Sequence, residues 1–207
     1  MTRFSDMTVS QLLAALASSE PTPGGGTAAA ITGAMGASLL VMVTGLAKSR
    51  SNTDDEKAAL AKARAALQPI ADRLLALADA DTVAFNAVMD AYRLPKGTDA
   101  DKAARTVAIQ AALHGATVAP LDTLRACVEA IDHGRAVASH GNRAAASDVG
   151  VAVGLLKAAA DGAAANVRIN LTSLKDQAFV ASTSDETSRL TGVAAAYAAE
   201  GARSLEG

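Results

Sequence analysis

From Thr27 to Ala47 the chain carries no charged residue, and nearly every position is apolar or small. A run of this length must leave water, either into a bilayer or into a protein interior. Gly33 and Gly36, set among Ala and Ser, suit close helix contact in either place. Ala, Gly and Thr contribute little to bilayer insertion, no aromatic belt flanks the run, and no second such run follows. The segment is therefore read as a buried helix, with no membrane partner.

Its neighbours must then be thin enough to approach it. Alanine, the best helix former, supplies roughly a quarter of the chain, far above ordinary usage. Only 2% of residues are aromatic and there is no Trp. Together these predict an all-α fold, a helical bundle with long central helices, organised as one domain over residues 1–207. A β-sandwich is excluded by the scarcity of aromatic and alternating β-branched residues. The 19% charged residues and net charge of −2 argue against disorder. With 19 basic and 21 acidic residues there is no electrostatic footprint for nucleic acid. Cys127 is the only cysteine, which excludes an intrachain disulfide and a cysteine-based zinc site. Met1–Ser10 leads into no apolar core of a signal peptide, so a cytoplasmic setting is expected.

Helix punctuation is plain. Thr8-Val-Ser-Gln11 reads as a capping box opening a helix to about Ala17. Ser18–Gly26 is a loop, and the uncharged helix runs from about Thr27 to Lys48. Thr53-Asp-Asp-Glu56 starts another helix that continues to about Tyr92, with Pro69 as a candidate kink. Leu94–Gly97 is a break. Thr98 opens a helix to about Thr117, and Pro120 a separate one to about Ser139. His140-Gly141-Asn142 is a turn, Ser147 or Asp148 starts a helix towards Asn170, Leu171–Thr183 is read as helical, and Ser184 as the cap of a last helix to Ala202. Asn166–Leu171 is the one stretch with a local strand alternative.

Five groups of residues could carry chemistry. Pro23-Gly24-Gly25-Gly26-Thr27 leads into a helix N-terminus, where free N–H groups and the dipole favour an anion. The same glycines also describe a tight bend before a buried helix. It is neither a Walker loop nor a dinucleotide fingerprint. Asp81 shares a helix face with Ile70, Leu74, Leu77, Phe85, Val88 and Tyr92, so its carboxylate points inward and must be paired or functional. Asp79 and Asp90 fall off that face and are expected to be solvated. Ser147 and Asp148 stand at a helix start, where N-capping is by itself the favoured reading. Asn166 and Asn170 lie four apart on one helix face and can both donate and accept. Lys96, Lys102 and Arg105 form a basic cluster. His114, His133 and His140 show no metal-ligand spacing.

Pro23–Gly26 with Met35-Gly36-Ala37, Asp81-x-x-Ala84-Phe85, Leu94-Pro95-Lys96-x-Thr98, Pro120-Leu121, Gly141-Asn142, Ser147-Asp148 and Asn166-Val167-x-Ile169-Asn170-Leu171 keep one order over about residues 8–180. This ordered set resembles the cyclodeaminase/cyclohydrolase family of folate enzymes. Ala47-Lys48-Ser49-Arg50, and Ala119 before Pro120, depart from the family pattern. The run from Met89 to Arg105 resembles the stand-alone bacterial cyclohydrolase, and no transferase half is expected. The resemblance implies an all-helical homodimer and a tetrahydrofolate derivative as substrate, with no metal and no other cofactor. It implies hydrolysis of 5,10-methenyltetrahydrofolate to 10-formyltetrahydrofolate. The alternatives are cyclodeamination of formiminotetrahydrofolate with release of ammonia, and folate binding without turnover. On this reading Asp81 and Asp148 are the acid/base pair. Asn166 and Asn170 orient the pterin or the transferred carbon, Gly24–Gly26 offer backbone amides, and Lys96, Lys102 and Arg105 meet the glutamate tail. Pro23, Phe85, Asn142 and Ser147 complete the expected binding set.

Overall fold

Three helix starts share one local device. Thr8, Thr53 and Thr98 side chains each accept a hydrogen bond from the backbone N–H three residues on, and the Gln11, Glu56 and Asp101 side chains accept one from the threonine N–H. Each such cap is worth about 1 kcal/mol. They open α1 (Val9–Leu16), α3 (Asp54–Arg93) and α4 (Asp99–His140). The remaining helices are α2 (Gly25–Thr44), α5 (Ala146–Leu171) and α6 (Gln177–Glu206). This computed structural model describes residues 3–46 and 53–206, with side chains up to residue 201. All regular elements among them are helical, including Asn166–Leu171.

Several expected boundaries move. α2 begins at Gly25 and ends at Thr44, and Lys48 lies outside the described residues, as does the whole departing stretch Ala47–Arg50. α4 does not break at Pro120; it is one helix through it. An interior proline costs about 3 kcal/mol, which burial of the flanking Leu113, Thr117, Leu121 and Leu124 offsets. α5 starts at Ala146 with no side-chain cap, so neither Ser147 nor Asp148 is its N-cap. Leu171–Thr183 is not a separate helix, and Ser184 is interior to α6. The start of α6 is held instead by the Asp176 carboxylate, which accepts from the N–H groups of Ala178 and Phe179, each at 3.1 Å.

α2, α3, α4 and α5 form an antiparallel ring, and α6 lies across α4 and α5. α2 is the tight element. A side chain at Gly33 would come within 2.9 Å of Cys127 Sγ, and one at Gly36 within 2.7 Å of the Ala152 carbonyl. Opposite it, α5 presents Ala152, Ala159, Ala160, Ala163 and Ala164, all buried. The alanine-rich composition is thus used where two helix backbones nearly touch. Leucines 40, 67, 74, 124 and 156 fill the remaining space with no exposure, each worth about 1.5–3 kcal/mol. α2 is long and apolar enough to cross a membrane, but most of it is buried among the other helices. Arg125 ties α6 to α4 through a bidentate pair with Glu186, at 2.8 and 2.7 Å.

Candidate active site

The antiparallel ring brings the start of α2, the second half of α3, the first half of α4 and the last turns of α5 to one end of the bundle. There a cavity of about 290 Å³ is lined by the loop residues Pro21, Thr22 and Gly24, by Gly25 and Gly26, and by Asp81. Phe85, Val88, Leu113 and Ala116 form its apolar wall, and Asn166 and Asn170 its polar one. Asp81 is the only ionisable side chain in that lining.

The spacing argument for α3 holds at the site. Ile70, Leu74 and Val88 are buried, Leu77 and Phe85 half-buried, and Asp81 sits among them, whereas Tyr92, expected on the same face, is exposed at the last turn of α3. Its carboxylate meets the first turn of α2. The Thr27 hydroxyl donates to Asp81 Oδ2 at 3.0 Å. Asp81 thus faces the first turn of a helix that no local side chain caps, where the dipole favours a carboxylate. Thr27 is fully buried, and its hydroxyl also lies 3.2 Å from Thr82 Oγ1 and 3.4 Å from the Ala78 carbonyl. Burial pushes the Asp81 carboxyl above the ordinary carboxylate range, while the Thr27 hydrogen bonds pull it back. A carboxyl so balanced can hold or release a proton, which is what acid/base chemistry needs.

Gly26 explains the closeness of this contact. A Cβ there would overlap Asp81 Oδ1 and lie 2.6 Å from Cγ. Only glycine lets the helix start approach the carboxylate this closely.

Asn166 and Asn170 both spend their N–H₂ groups on main-chain carbonyls. Asn166 Nδ2 donates to Gly162 at 2.8 Å, and Asn170 Nδ2 to Ala116 at 2.7 Å. Both residues line the cavity, and among the described residues neither Oδ1 has a hydrogen-bond donor, so each amide keeps an acceptor and one N–H to offer a ligand. Ala116 is available because Pro120, four residues on, has no N–H to give it.

The other expected residues lie elsewhere. Pro23 is half-buried beside the lining residues Thr22 and Gly24. Lys96 is exposed in the α3–α4 turn. Lys102 is exposed and pairs with Asp99 at 2.9 Å. Arg105 donates from Nε and Nη2 to the Tyr92 carbonyl, at 3.2 and 3.0 Å, and lies over the Tyr92 ring. Arg105 shares a face with Leu113, eight residues and so about 12 Å along α4.

Asn142, Ser147 and Asp148 require a correction. They sit at the opposite end of the bundle, near Val43 and the end of α4. Asp148 and Asn166 are eighteen residues apart on one straight element, about 27 Å. Asp81 and Asp148 of one chain therefore do not flank one substrate carbon. Asn142 caps a short 3-10 turn by accepting from Ala144 N–H at 3.0 Å.

Asp79 is not solvated as expected either: it accepts from the Phe4 N–H at 2.9 Å and pins the N-terminal turn to α3. Asp90 is exposed, paired with Arg93. Thr82, Pro21, Thr22, Leu113 and Ala116 belong to the cavity or its support and are not candidates from the sequence. Thr82 had a signal, adjacency to an inward aspartate; Leu113 and Ala116 had none beyond ordinary core periodicity. Cys127 is buried, which pushes its thiol up to about 12 and removes it as a nucleophile. Among the described residues no three His, Cys, Asp or Glu side chains converge as a metal set.

A glycine-started helix aimed at an inward carboxylate, with two amides on a neighbouring helix, defines a small-molecule site at the end of an all-helical bundle. The formiminotransferase-cyclodeaminase family model matches residues 8–189, and the chain belongs to that family. It is 45% identical over 172 residues to the methenyltetrahydrofolate cyclohydrolase of Methylorubrum extorquens, covering 83% of each chain. It is 36% identical over 169 residues to the formimidoyltransferase-cyclodeaminase of Gallus gallus, covering 81% of this chain but 31% of that longer one. The fold matches the crystal structure of formiminotetrahydrofolate cyclodeaminase from Thermotoga maritima with a TM-score of 0.86 at 25% identity, over 98% of this chain and 97% of that one.

Proposed function

We propose that this chain is a methenyltetrahydrofolate cyclohydrolase, hydrolysing 5,10-methenyltetrahydrofolate to 10-formyltetrahydrofolate in one-carbon metabolism. The observation that carries the reading is the lone half-buried carboxyl of Asp81 in an otherwise uncharged cavity. The likeness to a cyclohydrolase over most of both chains supports it. The substrate's methenyl carbon lies in a delocalised amidinium cation. An ionised Asp81 pairs with that cation and accepts a proton from the attacking water as the C–O bond forms. The neutral tetrahedral adduct then collapses. Asp81 passes its proton to N5, the C–N5 bond breaks, and the hydroxyl proton leaves to solvent. One water is consumed and one proton released. The Asn166 and Asn170 carbonyls accept from the pterin, and Gly25 and Gly26 let its ring approach the main chain.

The glutamate tail then runs along the α3–α4 hairpin towards Arg105, Lys102 and Lys96. The folate substrate and water are the only small molecules the reaction requires. The enzyme works in the cytoplasm as a homodimer. The uncharged stripe of Met35, Ser38 and Met42 exposed on α2 supports such an association.

Cyclodeamination is the second reading, favoured by the family likeness and by the Thermotoga structure. It passes through a tetrahedral carbon on the same folate, so the same carboxyl would serve. Loss of 5,10-methenyltetrahydrofolate absorbance above the uncatalysed rate tests the first reading. Ammonia release from formiminotetrahydrofolate, without that loss, would replace it with the second.

A further inference from the structure

The Pro120-Leu121 pair is a motif the reaction does not use directly. Pro120 is buried in the middle of a continuous helix, where a proline is costly. Its missing N–H leaves the Ala116 carbonyl without its helical partner, and Ala116 lines the cavity. The α3 helix contains a second interior proline, Pro69, and gives a control. The carbonyl that Pro69 orphans belongs to Ala65, and both residues are exposed, so water can serve it. At Pro120 the partner is a protein group: Asn170 Nδ2 donates to Ala116 at 2.7 Å from α5.

We propose that Pro120 is a positioning residue: by withholding an N–H from the Ala116 carbonyl, it supplies the anchor that fixes the Asn170 amide with its oxygen towards the substrate. The role of that oxygen rests on the folate reading above; the anchor itself does not. An alanine at position 120 would return the helical hydrogen bond to Ala116. The Asn170 amide would then compete for an occupied acceptor and turn more freely.

The test uses Pro120→Ala and Pro120→Val, the second filling the same buried space. Both restore the N–H. Melting temperature is expected to stay equal or rise, because a helix bond is regained. KM for 5,10-methenyltetrahydrofolate is expected to rise about tenfold, the equivalent of one hydrogen bond, with kcat within about threefold. Asn170→Ala should give a similar rise, and the double variant should be no worse than either single one. An unchanged KM in both proline variants, or fully additive effects with Asn170→Ala, overturns the proposal. NMR of the ligand-free protein reads the anchor separately. Solvent exchange of the Asn170 side-chain N–H₂ should quicken about tenfold in Pro120→Val, for loss of one hydrogen bond. An amide unchanged in both variants overturns the anchor. If the wild type turns over no folate while the amide still loosens, the folate reading fails and the anchor stands.

Discussion

At one end of α5, Asn166 and Asn170 share a cavity with Asp81; at the other, Asn142, Ser147 and Asp148 crowd a helix start. The two groups are similar in residue type, each with amides and a carboxylate beside a helix N-terminus. Their surroundings differ. Asp81 is partly buried in a cavity beside α2, whose first turn has no side-chain cap of its own, and burial raises its proton affinity. Asp148 lies in the first turn of its own helix, half-exposed, and lines no part of that cavity. The chemistry follows from which helices converge, because only convergence desolvates a carboxyl and supplies a wall for a ligand.

The sharpest way to break this contrast is to neutralise each carboxylate in turn. Asp81→Asn keeps the shape and removes the proton carrier, so turnover should fall by roughly 10²–10⁴-fold. Asp148→Asn should stay within about threefold, as surface changes away from a site usually do. An equal loss in both would bring the far end of a second chain into the site and end the distinction.

A backbone version of the same test is Gly26→Ala. The new methyl group overlaps Asp81 Oδ1, so the carboxylate or the helix start must move. A displacement of about 1 Å costs on the order of 10²-fold in turnover. Activity within a few-fold of wild type would show that the close approach of α2 is incidental.

Much of this end of the molecule is legible in the sequence, for physical reasons. The spacing of Ile70, Leu74, Leu77, Asp81, Phe85 and Val88 reports one helix face directly. The threonine boxes at 8, 53 and 98 are local hydrogen bonds written in adjacent residues. The placement of Asp148 is not local. The Ser147-Asp148 pair looks like any helix start, and only the antiparallel ring decides which end of the bundle it occupies. Pro120 misleads for a related reason: its intrinsic preference ends helices, and burial of its neighbours overrides it. The role of Thr27 is hidden because a threonine after glycines reads as a helix start, while its partner lies on another helix.

Smaller effects sharpen the comparison from outside the cavity. Lys102→Ala should raise KM for a polyglutamylated substrate several-fold and leave kcat nearly unchanged, the pattern of uniform binding lost. Its pair with exposed Asp99 contributes at most about 1 kcal/mol, so the melting temperature should hardly move. An unchanged KM would take Lys102 out of tail binding.

The pH dependence of stability has a definite sign. The folded pKa of Asp81 lies above its unfolded value, so the folded state binds the proton more tightly. Asp81 therefore favours folding most under acid conditions, and that contribution is lost as pH rises from the unfolded to the folded pKa. Asp81→Asn removes this term. Relative to wild type, its melting temperature should be equal or higher at neutral pH, and the difference should shrink as pH falls through the carboxylate range. A variant less stable at neutral pH than in acid, measured against wild type, would mean that the Thr27 bonds outweigh burial. The same shift places the acidic limb of kcat/KM above the ordinary carboxylate range.

The most direct measurement follows 5,10-methenyltetrahydrofolate absorbance with wild type and Asp81→Asn side by side, in a buffer where uncatalysed hydrolysis is slow. The account predicts enzyme-dependent loss with wild type and its near-abolition in a folded Asp81→Asn variant. No loss above the blank with wild type, or full turnover with Asp81→Asn, would contradict it.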